Sequence, residues 1–99
     1  MKNQMRPIHP GEILREEFLI PLNMSSNALA VALRIPASRV NDIVREKRAV
    51  TPDTALRLSR YFGTTPAYWT GLQVDYDLRK AEIDSWETIE HEIIPLQVA

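Results

Sequence analysis

The sequence of 99 residues has no cysteine. Disulfides and thiolate metal sites are thereby excluded, and the absence fits a reducing compartment. No apolar run approaches the roughly 20 residues of a membrane-spanning helix. The opening "MKNQMRPIHPG" carries no apolar stretch behind its charges, so no secretory signal is expected. A soluble cytoplasmic protein, with no membrane role, is the expectation. Internal repeats and low-complexity segments are also missing. So are the marks of an enzyme. His9 and His91 are far apart and neither has zinc-ligand spacing. Glu16 and Glu17 are adjacent, diverge on a helix and cannot act as a paired acid and base. There is no glycine-rich phosphate loop. No catalysis, metal or cofactor is expected.

What is present suits one domain spanning 1–99, with a core unit over 10–72 and a C-terminal helix and tail over 73–99. A chain of this size buries roughly 60–68% of the surface its unfolded form exposes, enough for a modest core. The formal net charge of −1 hides an asymmetry. Residues 1–60 hold ten Lys and Arg against six acids, whereas residues 61–99 hold two against seven. A basic front and an acidic back suggest two faces with different partners.

Proline and glycine divide the chain into pieces of helical length. "HPGEILREEFLIPL" has Ile13, Leu14, Phe18 and Leu19 at helical spacing, and Pro21 ends or bends the helix. In "MSSNALAVAL", Ser25 or Ser26 is a natural N-cap, and Ala28, Leu29, Ala32 and Leu33 form a small-residue stripe that lets another helix cross closely. After the "RIP" turn, "ASRVNDIVREK" places Val40, Ile43 and Val44 on one face. Its other sides are polar, with long hydrogen-bonding side chains. "TPDTALRLSRYFG" is a helix with Thr51 as cap, Pro52 in the first turn and Gly63 just past the end. Ala55, Leu58, Ser59 and Phe62 line its apolar face, with Leu56 beside them. "TPAYWTGL" repeats the Thr-Pro start and offers Tyr68 and Trp69 as core anchors, and "VDYDLRKAEIDSW" is a further helix. The last stretch, "ETIEHEIIPLQVA", is compatible with a short strand, a docked arm or a frayed tail containing Ile93, Ile94, Leu96 and Val98.

Two short helices joined by a tight turn, the second with a polar outer face, form a helix-turn-helix. Here the pair is about 25–33 and 37–45. The first braces across the DNA backbone and the second enters the major groove. Arg pairs with guanine, Asn with adenine, and Ser with several bases. Arg39, Asn41 and Ser38 are thus candidate base readers, and Ala37 can touch a thymine methyl. Asp42 can accept from cytosine or hold Arg39 or Arg45 in place. Arg45, Lys47 and Arg48, just past the helix, have the reach and charge for phosphates. Ser26 and Asn27, at the opening of the preceding helix, are further phosphate candidates.

"HPGEILREEFLIPL", "SSNALAVALRIPASRVNDIV", "REKRAVTPDTALRLSRYFGTTPAYW" and "YDLRKA" resemble the HigA-type antitoxins of the larger Xre/phage-repressor helix-turn-helix family. The likeness covers roughly residues 6–81, and the block from "REKRAVT" to "YFGTTPAYW" is its most specific part. It implies an all-α, lambda-repressor-like helix-turn-helix domain of five or six helices with a short C-terminal extension. It also implies a homodimer, a palindromic double-stranded operator upstream of the protein's own operon, and a small basic toxin similar to RelE-type ribosome-dependent mRNA endonucleases. Carried over, the DNA-facing positions are Ser26, Asn27, Ala37, Ser38, Arg39 and Asn41, with Arg45, Lys47 and Arg48 on the backbone. The later helices supply candidate dimer residues Tyr68, Leu72 and Tyr76, with Trp69 read rather as core. In the family a glycine usually stands where this chain has Arg34, which costs on the order of 1 kcal/mol if the backbone there is left-handed.

Two rival functions are also compatible with the sequence. A stand-alone helix-turn-helix regulator lacks a toxin and is distinguished by the absence of a neighbouring frame for a basic protein. A pure interaction protein grips a basic toxin through Glu82, Asp84, Glu87, Glu90 and Glu92, and shifts no DNA.

Overall fold

The computed structural model describes residues 5–97, and among these there is no strand. A short α1, Pro10–Ile13, runs directly into a π-helical stretch, Leu14–Leu19. Then follow α2, Ser26–Leu33; α3, Ala37–Val44; α4, Pro52–Phe62; and α5, Pro66–Glu92.

The capping chemistry matches the helix starts. Ser25, rather than Ser26, caps α2, its Oγ accepting the Ala28 N–H at 3.0 Å. Thr51 Oγ1 accepts the Thr54 N–H at 3.4 Å and Thr65 Oγ1 accepts the Tyr68 N–H at 3.1 Å. Each removes one of the orphan donors of a first turn. Gly63 ends α4 at φ 76°, which glycine adopts without a Cβ penalty. Arg34 ends α2 in the same left-handed region, at φ 60° and ψ 42°. The strain expected of a non-glycine residue there is therefore present. Glu46, following α3, has φ 64° and repeats the arrangement.

Leu14, Leu29, Leu33, Val40, Ile43, Ala55, Leu58 and Trp69 form a continuous buried cluster. The α2–α3 pair leans on it from one side and α4 with the start of α5 from the other. Several sequence expectations need correction. On α2, Ala30 is buried with Leu29 and Leu33, while Ala28 and Ala32 face solvent. Leu56 is exposed, pointing away from the Ala55–Leu58 face. The expected end of the first helical run is found: Leu19 is its last residue, Ile20 is the C-cap, and Pro21 follows directly. The stretches expected as two helices, "TPAYWTGL" and "VDYDLRKAEIDSW", are one helix of 27 residues. Gly71 lies inside it without breaking it, since an interior glycine weakens a helix by only about 1 kcal/mol. At about 1.5 Å per residue α5 is roughly 40 Å long and outruns the core. The structure is accordingly elongated, 58 × 23 × 21 Å. The helix continues to Glu92, and Ile93, Ile94 and Leu96 beyond it are exposed rather than paired or docked. Val98 lies outside the described residues.

The "HPG" at the start of α1 is a device of its own. His9 is the N-cap, its Nδ1 accepting the Gly11 N–H at 2.8 Å. The ring is buried and meets Tyr76 edge-on at 4.8 Å. Burial lowers the His9 pKa below its ordinary 6.5, against weaker opposing pulls from Glu46 and Asp77. A protonated Nδ1 also has no lone pair for the cap. Below about pH 6.5 the unfolded chain binds a proton at His9 that the folded chain resists, so stability is full above that pH and declines as pH falls. The expected decline is of order 1 kcal/mol, similar to a lost N-cap, or about 4–8 °C in melting temperature. Thermal unfolding between pH 7.5 and 5 checks this. The same series on His9→Asn, which keeps a cap acceptor but does not titrate, should be flat.

Candidate nucleic-acid interface

Helix α3 buries Val40 and Ile43 and half-buries Val44, so its opposite side faces outward. Ala37 and Ser38 at its start are exposed, and Arg39, Asn41 and Asp42 are half-exposed. None of the proposed reading residues is sealed inside. The three-residue link from α2 to α3 is tight because Ile35 N–H donates back to Ala30 C=O at 3.1 Å, the bond that a left-handed Arg34 makes reachable.

Asn41 Nδ2 donates to Asn27 Oδ1 at 3.4 Å, which joins the start of α2 to the face of α3. Ser26 is half-buried in the first turn of α2 beside the exposed Asn27. Its hydroxyl is not the cap, because Ser25 fills that role. Asp42 holds Arg48, at 3.1 Å, rather than Arg39 or Arg45 as the sequence suggested. The turn of the chain after Glu46 brings Arg48 back to α3, with Lys47 N–H donating to Asp42 C=O at 2.8 Å. Arg39 goes instead to Asp53 at the start of α4, at 3.2 Å.

The positive charges are not equally free. Arg6, Arg15, Arg48, Arg57, Arg79 and Lys80 each have a carboxylate within 4.0 Å, as does Arg39. Among the described residues, Arg34, Arg45, Lys47 and Arg60 have none. Three of these four lie in or just after the helix-turn-helix, and Arg45 and Lys47 are exposed at the end of α3. Two of the four, Arg45 and Lys47, thus flank the outward face of α3 with unpaired positive charge, although the whole chain is nearly neutral.

Supports that no periodicity displays also fix α3. Gly11 packs so closely on the last turn of α3 that an added Cβ would stand 1.8 Å from the Ile43 carbonyl oxygen. Arg15 donates to the Val44 carbonyl, which satisfies an orphan acceptor at the end of α3, and to Glu46 at 3.3 Å. Arg57 donates to the Leu33 carbonyl at 2.9 Å and to Asp53 at 3.0 Å. The Asp53–Arg57 pair could be read from its i,i+4 spacing. The links Arg15–Val44 and Arg39–Asp53 span 29 and 14 residues and leave no local signal.

The candidate dimer residues differ in availability. Tyr68 is exposed, Leu72 half-buries itself against the core, and Tyr76 turns its ring onto His9. Trp69 is entirely buried and donates Nε1–H to Thr64 Oγ1 at 2.7 Å. It is a core residue.

A helix-turn-helix family model matches residues 14–69, which span all of α2, α3 and α4. The chain belongs to the helix-turn-helix family. Virulence-associated protein I of Dichelobacter nodosus is 58% identical over 83 residues, 84% of this chain and 77% of that protein. The solved Pseudomonas aeruginosa antitoxin HigA with the higBA promoter has TM-score 0.91 and 53% identity, over 93% of this chain and 100% of that one. The antitoxin GraA in complex with its operator has TM-score 0.91 and 48% identity, covering 99% of each chain. Within the helix-turn-helix family this chain is thus similar to HigA-type antitoxins along nearly its whole length, including α5. No helix among the described residues is long and apolar enough to cross a membrane.

Proposed function

We propose that this protein is a sequence-specific DNA-binding antitoxin that represses its own toxin–antitoxin operon and acts in the cytoplasm. The observation that carries the reading is the outward face of α3, polar and framed by the unpaired Arg45 and Lys47. Its similarity to HigA and GraA, solved with a promoter and an operator respectively, supports DNA as the ligand.

In this reading α3 lies in the major groove. Ala37, Ser38, Arg39, Asn41 and Asp42 face base edges. Ser26, Asn27, Arg45, Lys47 and Arg48 take phosphates. One such module buries only about 600–1,000 Å² against DNA, so two are needed for a firm grip. A homodimer supplies them, through Tyr68, Leu72 and Tyr76, on a palindromic operator with half-sites about 34 Å apart.

The toxin is a small basic protein of the RelE-like, mRNA-cleaving type, neutralised by this chain. Asp84, Glu87, Glu90 and Glu92 on the distal part of α5 make that end of the molecule acidic, which suits a basic partner. Co-expression with the protein encoded next to it tests the pairing. Growth rescue and co-purification support the antitoxin reading. DNA binding without either supports a stand-alone regulator.

Arg39→Ala is expected to weaken operator binding by roughly 1–3 kcal/mol and to relax base preference at one position. Lys47→Ala is expected to weaken all DNA about equally and to lower the salt slope by about one unit. Gel shifts on matched and scrambled duplexes over a salt series measure both. Unchanged base preference in Arg39→Ala removes that residue from the readout.

A further inference from the structure

Arg39 is held from outside its own helix. Its Nη1 lies 3.2 Å from Asp53 Oδ2, and the same oxygen accepts from Arg57 Nε at 3.0 Å. Arg57 in turn donates Nη1–H to the Leu33 carbonyl at 2.9 Å, at the end of α2. A continuous path of polar contacts therefore runs from the α2–α3 turn, through Arg57 and Asp53 on α4, to the arginine on the outer face of α3.

An acid in the first turn of a helix suits the helix dipole without any partner. Asp53 does more, because one of its oxygens takes two guanidinium groups from two different helices. Arginine has five N–H donors in a rigid fork. The bond to Asp53 uses one edge and leaves the remaining donors for the two acceptors of guanine in the major groove. A long side chain loses rotamer freedom when it docks, and one already restrained loses less. The carboxylate also repels phosphates. A freed Arg39 has an easy second partner in the DNA backbone, and Asp53 disfavours that choice.

We infer that Asp53 is a specificity-determining positioning residue: it aims the Arg39 guanidinium at base edges and opposes its diversion to phosphate. The inference rests on the proposed reading of α3 as the DNA-reading helix.

The test uses the full chain and the duplex that the wild-type protein enriches from a random pool, with each base pair also replaced singly. Four proteins are compared: wild type, Asp53→Asn, Arg39→Ala and the double variant. Asp53→Asn keeps a polar side chain at an exposed site and its melting temperature is followed alongside. At the base pair read by Arg39, Asp53→Asn is expected to reduce the matched-to-mismatched affinity ratio by about five- to tenfold, within the usual range for one base contact. Binding to scrambled duplex should be equal or tighter. In the Arg39→Ala background the same substitution should leave base preference unchanged.

A matched-to-mismatched ratio that survives Asp53→Asn while the melting temperature falls makes Asp53 a helix-start residue only, and overturns the inference. A loss of preference that persists without Arg39 overturns it as well. If the wild-type protein enriches no sequence at all, the DNA-reading role of α3 fails and takes this inference with it. An enriched sequence with preferences indifferent to Asp53 sinks the inference alone.

Discussion

Gly11→Ala is expected to destabilise the protein by about 3 kcal/mol or more, the upper end of what overpacking costs. The added methyl would stand 1.8 Å from the Ile43 carbonyl oxygen and 2.8 Å from its carbon. Both are backbone atoms of the last turn of α3, so no side chain can rotate away. Either α1 lifts off or the end of α3 moves. In the first case His9 and Arg15 lose their places, since His9 caps α1 and Arg15 reaches Val44 from the same helical run. In the second the reading helix tilts. Urea unfolding monitored by far-UV circular dichroism measures the loss. The backbone approach is absent from the contact if Gly11→Ala unfolds with the wild-type midpoint.

Trp69→Ala is expected to cost about 3–5 kcal/mol, the usual penalty for emptying a buried aromatic site. The side chain is wholly buried, with Phe18 at 5.2 Å and Tyr68 at 5.1 Å between ring centroids. Its removal also takes away the donor that Thr64 Oγ1 accepts. Domains of this kind are stable by only about 5–15 kcal/mol, so the loss removes a large share of the total. Trp69→Phe keeps most of the volume and should lose clearly less. Denaturant midpoints for the two variants give the comparison. A small loss in Trp69→Ala would place the ring at a surface rather than in the core.

The elements around α3 were legible because their signals are local. Thr51-Pro52 and Thr65-Pro66 announce helix starts, Gly63 announces an end, and Val40 with Ile43 picks out the buried side of α3 by spacing alone. What escaped reading is long-range or depends on competition. Arg39 has Asp42 three residues away, a spacing that favours pairing on a helix. It pairs with Asp53 because the start of α4 comes within reach, and Asp42 is already taken by Arg48. The continuity of α5 past Gly71 was hidden for a different reason. Gly71 lies at the junction of the two stretches read as separate helices, yet an interior glycine costs only about 1 kcal/mol and the helix runs through it. The π-helical winding of Leu14–Leu19 has no sequence signal that we can identify. Arg34 is a different case: the family resemblance left open whether the backbone at the usual glycine position is left-handed, and in this chain it is.

The proposed function stands or falls with sequence reading by the outer face of α3. Selection of duplexes from a random pool, carried out with the wild-type and Arg39→Ala proteins, tests it most directly. The expected result is a two-fold-symmetric sequence with half-sites about one helical turn apart, and loss of preference at one position per half-site in Arg39→Ala. Enrichment of no sequence, or an identical preference from both proteins, would contradict it.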